Sequence, residues 1–551
     1  MAEKRVLVVG LDGATWTILQ RFMEQGYLPN LKSLYDSGAS GTLKSTRPPL
    51  TPVAWTACFT GVNPGKHGVF GFYRCRNTDR GWPLNNAEAI KVPQVWEILS
   101  KRGQKVGIYN VPMTYPVRAV NGTLIAGFDT PSNQSCYTYP ATLKAILDRS
   151  GYQIDLFIKR RGRDYKTDKG RIRLARDLAD LVVTRTRLCT KVALENGVGA
   201  LTVIVYESPD RIQHYMWDVL ERLIAGQSDL TELDRCVIDC YKALDDAIGQ
   251  WIQVVSPDQV VIVSDHGFQK LDQEFLVNRW LLDHGYLVLN GTTTNSYRRL
   301  PWKNWLKKGF LRFVEASGLF GNLRDTLNTV NNSVVKSVDW DHTVAYSGEA
   351  SENSIYIHAP NSSIAFESGA HIAGESKSGV LMAEIIAGLR QERDNIGRPV
   401  LIDIKSKFDA YSGDDLVDAP DLILEFNTGI DSAAAFRGEQ GSYFRPPLDP
   451  GAGCHAPEGI ILIFGKGVKT IKNIQSEIAD IAPTLLYLLD EPVPAYMDGQ
   501  VISETLTPEW TQAHPLLSSN DEMIRAEYIG GDTAKDNELL AKRLADLGYL
   551  D

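Results

Sequence analysis

The sequence predicts an α/β protein with a central, mostly parallel sheet flanked by helices. Short, continuous apolar runs rich in β-branched residues recur along the chain, as in Arg5–Gly10, Leu201–Tyr206 and Gln259–Ser264. Such runs are typical of strands buried on both faces of a parallel sheet. Helical apolar spacing lies between them, for example over Thr231–Val254. With 551 residues, the chain is long enough for two or three lobes.

The composition is that of an ordinary globular protein and excludes several classes. A net charge of −9 argues against binding to a nucleic-acid duplex. No apolar run is long enough for a membrane span, and the first residues lack a signal peptide, so we expect a cytoplasmic protein. The seven cysteines form no CxxC pair, which argues against a disulfide framework and a cysteine metal site.

The first predicted strand is followed directly by Asp12. Ligands of open α/β sheets bind beyond the carboxyl ends of the strands, so this carboxylate is a candidate site residue. A cap of the next helix is an equally good interpretation of Asp12. Helical spacing then covers Trp16–Tyr35, with an interruption at Pro29.

Thr51 and Pro52 predict the start of a helix. Thr is a good N-cap residue, and Pro suits the first helical position. A hydroxyl at a helix N-terminus lies where backbone N–H groups and the helix dipole favour an anion. Thr51 is therefore either a simple cap or a hydroxyl that binds or attacks a phosphoryl group.

Two later strand ends carry pairs of Asp and His. Asp210 and His214 follow the strand Leu201–Tyr206 and share one face if the segment is helical. Such a pair is either a surface contact or half of a metal site. Asp265 and His266 end the next strand, where a sharp turn at Gly267 would let both ligate one cation.

Residues 271–450 have a mixed pattern and are predicted to form an insertion, which caps the site. Helical spacing covers 302–327, and Ser354–Ile357, Val400–Ile404 and Leu422–Phe426 resemble strands that could return to the main sheet. The catalytic core is predicted to comprise residues 1–270 and 451–510. Residues 511–551 form a tail with a short amphipathic helix, Asn537–Leu547.

His455 lies in an irregular loop and could ligate a metal from across a cleft. Together with the strand-end residues and Thr51, it gives a set of oxygen and imidazole donors without thiolates. Such a set suits two divalent cations, Zn²⁺ first or Mn²⁺. Two cations about 4 Å apart can clamp a phosphoryl centre and activate a hydroxyl beside them.

The chain resembles the alkaline phosphatase superfamily, and within it the type I phosphodiesterase/nucleotide pyrophosphatase family. The matching segments are GLDG at Gly10–Gly13, TPVAWTACFTG at Thr51–Gly61, SPDRIQH at Ser208–His214, SDHG at Ser264–Gly267 and GCHAPEG at Gly453–Gly459. They occur in the order of the family. The resemblance implies an alkaline-phosphatase-like three-layer sandwich with an inserted cap.

The resemblance also implies a role for each site residue. One cation would be held by Asp12, Thr51, Asp265 and His266, and the other by Asp210, His214 and His455. Thr51 would be the nucleophile, which forms a threonyl-phosphate that water then hydrolyses. The implied substrate is a small phosphorylated molecule, such as a nucleotide or another phosphodiester. A diester is expected in preference to a monoester.

One position departs from the family pattern. The family usually carries a phosphate-binding Asn after the nucleophile helix, and its position falls near Phe72 here, with Asn77 out of register. Lys66, Tyr73 and Arg74 are candidate substitutes. The basic segment 159–176 is predicted to be a solvated helix face, and the alternative is that it steers an anionic substrate.

Two alternative functions remain open on the sequence. One is a phosphoryl mutase or transferase of the same superfamily. The other is a catalytically idle protein that binds metal and a nucleotide. The sequence predicts no oligomeric state.

Overall fold

A computed structural model of the protein describes residues 4–76, 82–156, 167–290, 337–348, 352–358, 377–433, 442–449, 451–523, 525 and 540. Several predicted features lie outside these residues. They are the helix over 302–327, residues 159–166 of the basic segment, Asn77 and nearly all of the tail helix.

The strands of the described residues are numbered here in chain order. They are β1 Val6–Leu11, β2 Ala39–Lys44, β3 Val106–Val111, β4 Gly122–Ala126, β5 Thr138–Tyr139, β6 Leu201–Tyr206, β7 Gln259–Val263, β8 Gly267–Lys270, β9 Gln273–Leu276, β10 Ala345–Tyr346, β11 Ser354–Ile357, β12 Leu401–Ser406, β13 Leu422–Phe426, β14 Ile430–Ala433, β15 Phe444–Arg445, β16 Gly453–Ala456, β17 Glu458–Gly465, β18 Ile471–Glu477, β19 Val493–Pro494 and β20 Ser518–Ser519.

The helices of the described residues fall between these strands. The α-helices are Trp16–Glu24, Pro29–Ser37, Thr51–Thr60, Pro64–His67, Val95–Lys101, Thr142–Arg149, Asp168–Asn196, Ser208–Ile224, Glu232–Val255, Val277–Asp283, Lys377–Leu389, Lys407–Ala410, Ile481–Leu488 and Pro508–Ala513. Short 3-10 helices cover Ala87–Ala89, Ile478–Asp480 and Ser503–Thr505.

Nine strands form the central sheet, in the order β18-β2-β17-β7-β1-β6-β3-β4-β5. Neighbours are parallel except at β2-β17, β17-β7 and β4-β5. The mostly parallel sheet flanked by helices confirms the predicted fold class. Every residue of β1, β3, β6 and β7 is buried, as expected for strands covered on both faces.

The sequence analysis missed β2 and β18 at one end of the sheet. The edge strand β18 alternates between exposed residues and residues that are partly or fully buried, and β2 contains Ser, Gly and Thr. Neither segment has the continuous apolar run that marks a central strand. β18 is an edge strand with one exposed side, whereas β2 is mostly buried but carries small and polar residues.

The insertion does not return strands to the central sheet, so this part of the prediction is wrong for the described residues. Its strands form a four-stranded sheet, β10-β11-β13-β12, and a three-stranded sheet, β14-β9-β15. They enclose a second apolar core that also takes in Phe72, Tyr73 and Phe128 from outside the insertion. Short antiparallel pairings within the insertion satisfy the hydrogen bonds that the prediction assigned to the main sheet.

Within the described part of the chain, none of the helices is both long and apolar enough to cross a membrane.

Candidate active site

Three neighbouring strands of the central sheet end at the same edge. β1 lies between β6 and β7 and runs parallel to both, with Leu11 opposite Tyr206 and Gly10 opposite Val263. Asp12 therefore emerges beside the start of helix Ser208–Ile224 and beside the turn that carries Asp265. This is the edge at which open α/β sheets bind their ligands.

Thr51 begins its helix, but it does not cap it. The N-cap is Leu50, and Thr51 is the first helical residue, followed by Pro52. The prediction of Thr51 as the N-cap is therefore wrong by one position. The difference matters because the side chain of an N-cap turns back to the helix, whereas Oγ1 of Thr51 faces Nε2 of His266 at 3.4 Å.

His266 is the centre of the first group of donors. Its Nε2 lies 3.5 Å from Oδ1 of Asp12 and 3.3 Å from Oδ2 of Asp265. All three side chains are fully buried, as is Thr51. The other carboxylate oxygen of Asp265 accepts a hydrogen bond of 3.1 Å from the backbone N–H of Gly13.

Asp210 is the centre of the second group. Its Oδ1 lies 3.4 Å from Nε2 of His214 and 3.4 Å from Nε2 of His455, and the two imidazole nitrogens are 3.1 Å apart. His455 reaches the site through β16, which pairs with β8 and places His455 opposite Phe268. The structure thus gives His455 a regular strand position rather than the irregular loop predicted for it.

The two groups meet at Asp210. Donor atoms of Asp210, His214 and His455 lie within 4.8 Å of one another, and so do those of Asp12, Asp210 and His266. The family resemblance assigned Asp210 to one cation only. In the structure its carboxylate lies between both groups, so all seven predicted side chains converge on one largely buried cluster, in which His214 is partly exposed.

Several positioning groups escaped the sequence analysis. Trp55, one helical turn after Thr51, donates from Nε1 to Oδ2 of Asp12 at 3.0 Å. Gly10 makes this contact possible, because a Cβ there would lie 2.5 Å from the Trp55 ring. Nδ1 of His455 lies 3.0 Å from the carbonyl oxygen of Pro49. The i,i+4 spacing of Thr51 and Trp55 is the one local signal that could have identified any of these contacts.

Burial and mutual repulsion govern the protonation of the cluster. Burial raises the pKa of Asp12 well above its usual range, and the charges of Asp265 and Asp210 raise it further. Burial raises the pKa of Asp265 to about 8. Burial, with His455 beside it, lowers the pKa of His266, which keeps the imidazole in the neutral form that binds metals.

Asp210 differs from the other two carboxylates. Burial alone would raise its pKa, but the imidazoles of His214 and His455 hold it well below its usual range. Its carboxylate is therefore the ionised member of the cluster even without a cation.

The donor set fits divalent cations. Both carboxylate oxygens of Asp210, Oδ1 of Asp12 and Oδ2 of Asp265 are buried without a hydrogen-bond partner. Buried carboxylate oxygens without partners carry a large desolvation cost that a cation would remove. Carboxylate, imidazole and hydroxyl donors suit Zn²⁺ or Mn²⁺.

Removal of metal should make stability fall with rising pH. A carboxyl group whose pKa is raised on folding contributes stability below its unfolded pKa and loses it as the pH rises through the folded pKa. His266 acts in the opposite direction, but its contribution is complete above its usual pKa of 6.5. We therefore expect the melting temperature of chelator-treated protein to fall as the pH rises from about 7 to about 8, where Asp265 ionises, with the raised pKa of Asp12 acting in the same direction.

Protein loaded with Zn²⁺ should lack this slope, because the cation keeps both carboxylates ionised throughout. Differential scanning fluorimetry on both forms measures the difference, and Asp265→Asn should flatten the slope of the metal-free form. Equal slopes for the two forms would contradict the assignment of these carboxylates to a metal centre.

The position expected for the family's phosphate-binding Asn carries no such group. Phe72 is buried in the second apolar core. Lys66, one of the predicted substitutes, is committed elsewhere, because its ammonium group forms an ion pair with Asp498 and donates to the carbonyl oxygen of Tyr496 at 2.9 Å. Lys66 is therefore a poor candidate for this role.

The other two candidates differ in exposure. Tyr73 is buried in the second core, whereas Arg74 is exposed. Of the three predicted substitutes, Arg74 is the most exposed, whereas the Lys66 side chain is only partly exposed.

A family model described as type I phosphodiesterase/nucleotide pyrophosphatase matches residues 6–383. This match supports the resemblance seen in the motifs. No curated protein matched the chain in a comparison of sequences.

A solved structure shares the fold, and a second one superposes with a lower TM-score. Phosphonoacetate hydrolase from Sinorhizobium meliloti 1021, solved in complex with phosphonoformate, superposes with a TM-score of 0.54 at 12% identity, covering 88% of this chain and 95% of that chain. Murine ectonucleotide pyrophosphatase/phosphodiesterase 5, in complex with AMP, gives a TM-score of 0.48 at 13% identity, covering 92% of this chain and 100% of that chain.

Proposed function

The chain belongs to the type I phosphodiesterase/nucleotide pyrophosphatase family of phosphoric ester hydrolases, and we propose that it cleaves a small phosphodiester through a threonyl-phosphate on Thr51 at a two-metal centre. One observation carries the proposal. The hydroxyl of Thr51, at a helix N-terminus, faces His266 at 3.4 Å, within the cluster where both donor groups share Asp210.

Each cation has a set of ligands in this proposal. Asp12, Thr51, Asp265 and His266 would hold one, and His214 with His455 would hold the other. Asp210 belongs to both groups of donors and would be available as a ligand to either cation. Bound Zn²⁺ or Mn²⁺ would supply the positive charge that lowers the pKa of the Thr51 hydroxyl and neutralises the phosphoryl oxygens.

The side chains of this protein would carry the reaction in two steps. Oγ1 of Thr51 would form a bond to phosphorus while the bond from phosphorus to the leaving oxygen breaks, and the proton of the hydroxyl would pass through solvent to the leaving oxygen. Water then attacks the same phosphorus, the bond to Oγ1 breaks, and Thr51 regains a proton. Backbone N–H groups of the first helical turn favour the anionic phosphoryl group throughout.

The burial of the cluster supports turnover rather than passive binding. Charges in a site shielded from water interact more strongly than in solution, and donors held in place need not reorganise during reaction. Trp55 fixes Asp12, and the carbonyl oxygen of Pro49 fixes the ring of His455. Both contacts preserve the geometry of the ligands.

Reaction in ¹⁸O-labelled water tests hydrolysis against phosphoryl transfer. We expect one ¹⁸O in each phosphate product, because water attacks the phosphorus of the threonyl-phosphate. Transfer to a second hydroxyl, as in a mutase, would leave the product unlabelled. Bound metal without any turnover would instead establish an idle binding protein.

A substrate panel would identify the leaving group. It should include nucleotides, dinucleotides, glycerophosphodiesters and sugar phosphates, each with Zn²⁺ and with Mn²⁺. We expect kcat/KM for the best diester to exceed that for the corresponding monoester at least about 10-fold, which corresponds to about 1.4 kcal/mol. A clear preference for monoesters would reject the assignment as a diesterase. It would not contradict the assignment of Thr51 as the nucleophile.

A further inference from the structure

The insertion contacts the chain on both sides of the nucleophile helix. Before the helix, the hydroxyl of Tyr411 donates to the carbonyl oxygen of Arg47 at 2.6 Å. The guanidinium group of Arg47 forms an ion pair with Glu425. The segment 47–50 is thus tied at its first residue to two side chains that lie more than 360 positions away in the sequence.

A second set of contacts follows the helix. Nδ2 of Asn63 donates to Oγ of Ser412 at 2.7 Å, and the backbone N–H of Ser412 donates to Oδ1 of Asn63 at 3.1 Å. The backbone N–H of Asp415 donates to the carbonyl oxygen of Gly65 at 3.1 Å. Any side chain at Gly65 would press on the backbone, because a Cβ there would lie 2.5 Å from the carbonyl oxygen of Ser412.

Tyr411 is built into this contact. Its side chain is buried, and its ring centroid lies 5.2 Å from that of Phe70, in a small apolar cluster with Ala419 and Ile423. Burial raises the pKa of Tyr411, as does the nearby charge of Glu352. The phenol therefore remains a hydrogen-bond donor across the working pH range.

The segment that Tyr411 holds carries two parts of the site. Its last residue, Leu50, caps the helix that starts with Thr51. Its third residue, Pro49, offers the carbonyl oxygen that lies 3.0 Å from Nδ1 of His455. A shift of this short segment would therefore move the nucleophile and one proposed metal ligand together.

We propose that Tyr411 is a positioning residue, which aligns Thr51 and His455 through the carbonyl oxygen of Arg47. The proposal rests on the function proposed above. It assigns part of the geometry of the site to the insertion, in a stretch that lies beyond the residues 6–383 matched by the family model. A misplacement of about 1 Å in such a site costs on the order of 10²-fold in rate.

Tyr411→Phe removes the donor and keeps the ring. The chain offers a matched control in Tyr346, another buried tyrosine of the insertion, whose hydroxyl donates to the carbonyl oxygen of Cys75 at 2.7 Å. Both substitutions remove one hydrogen bond to a backbone carbonyl, so their melting temperatures should fall by similar amounts. Cys75 is not part of the proposed site, so Tyr346→Phe should leave kcat within about 2-fold of wild type.

We expect Tyr411→Phe to lower kcat about 10- to 100-fold with little change in KM. Its affinity for Zn²⁺, measured by competition with a chromogenic chelator, should fall about 10-fold, because the ring of His455 loses its fixed acceptor. Tyr346→Phe should change neither quantity.

Equal kcat and equal Zn²⁺ affinity in Tyr411→Phe and Tyr346→Phe would overturn the positioning role. A different result would reject the proposed function itself. In that case the wild-type protein would hydrolyse no diester, or Thr51→Ala would remain fully active. If Tyr411→Phe unfolds while Tyr346→Phe does not, Glu425→Gln, which loosens Arg47 from the same side, should show the same fall in kcat. A Glu425→Gln variant with unchanged kcat would then reject the proposal.

Discussion

Thr51→Ala is expected to abolish hydrolysis of bis-p-nitrophenyl phosphate, with kcat reduced at least about 10³-fold. The substitution removes the only hydroxyl proposed to attack phosphorus, while the helix start and its N–H groups remain. Acid-quenched wild-type protein should carry a phosphoryl adduct on the peptide that contains Thr51, detectable by mass spectrometry. Thr51→Ala should carry none.

The same helix supplies a control for this substitution. Thr56 is equally buried, but its Oγ1 donates to the carbonyl oxygen of Pro52 at 2.6 Å and takes no part in the cluster. Thr56→Ala should retain kcat within a few-fold of wild type and lose only the modest stability of one hydrogen bond. Full activity in Thr51→Ala would reject Thr51 as the nucleophile, whatever the state of the metals.

Asp210→Asn should have the largest effect on metal binding. Its carboxylate is the donor common to both groups, and both of its oxygens are buried without a hydrogen-bond partner. We expect the affinity for both cations to fall by more than the roughly 10- to 100-fold typical of residues that only orient a ligand. Elemental analysis after dialysis and isothermal titration calorimetry would measure the loss.

Two comparisons sharpen this experiment. His214→Ala should weaken one cation only, because His214 belongs to one group. Asp245→Asn is the matched control, since Asp245 is also buried but accepts hydrogen bonds from the backbone N–H groups of Asn30 and Leu31, at 2.9 and 2.8 Å. It should cost stability and leave the metal content intact. Retention of two tightly bound cations by Asp210→Asn would show that its carboxylate is not shared.

Two buried ion pairs flank Asp210 at the start of its helix. Glu207 forms a buried ion pair with Arg185 at 2.5 Å, and Arg211 forms one with Asp155 at 2.8 Å. These ion pairs hold Glu207 and Arg211, which lie on either side of Asp210 in the sequence. Charges buried this deeply are costly to leave without a partner, which favours a single conformation at this point.

Much of the fold followed from local patterns in the sequence. Continuous apolar runs predicted β1, β6 and β7, because strands covered on both faces are apolar throughout. Strands β2 and β18 were missed, because β2 is mostly buried but carries small and polar residues and β18 exposes every second residue, so neither forms a continuous apolar run.

The candidate site was predictable where it depends on the parallel arrangement of the central strands. Parallel strands end at a common edge, so residues that follow β1, β6 and β7 were bound to lie close together once the sheet formed. The N-cap of the nucleophile helix was misplaced by one residue, because Pro is tolerated anywhere in the first helical turn, so Pro52 could be the first or the second helical residue.

By itself, the sequence determined the class of the sheet, the strand ends that carry Asp and His, and the chemistry of the donors. The tertiary structure decided that Asp210 lies between both groups, that β16 pairs with β8 to bring in His455, and that Tyr411 holds the segment before Thr51. The division has one physical cause. Periodicity and turn chemistry are local properties that neighbouring residues encode, whereas contacts between residues hundreds of positions apart depend on how packed layers meet, which no short stretch of sequence records.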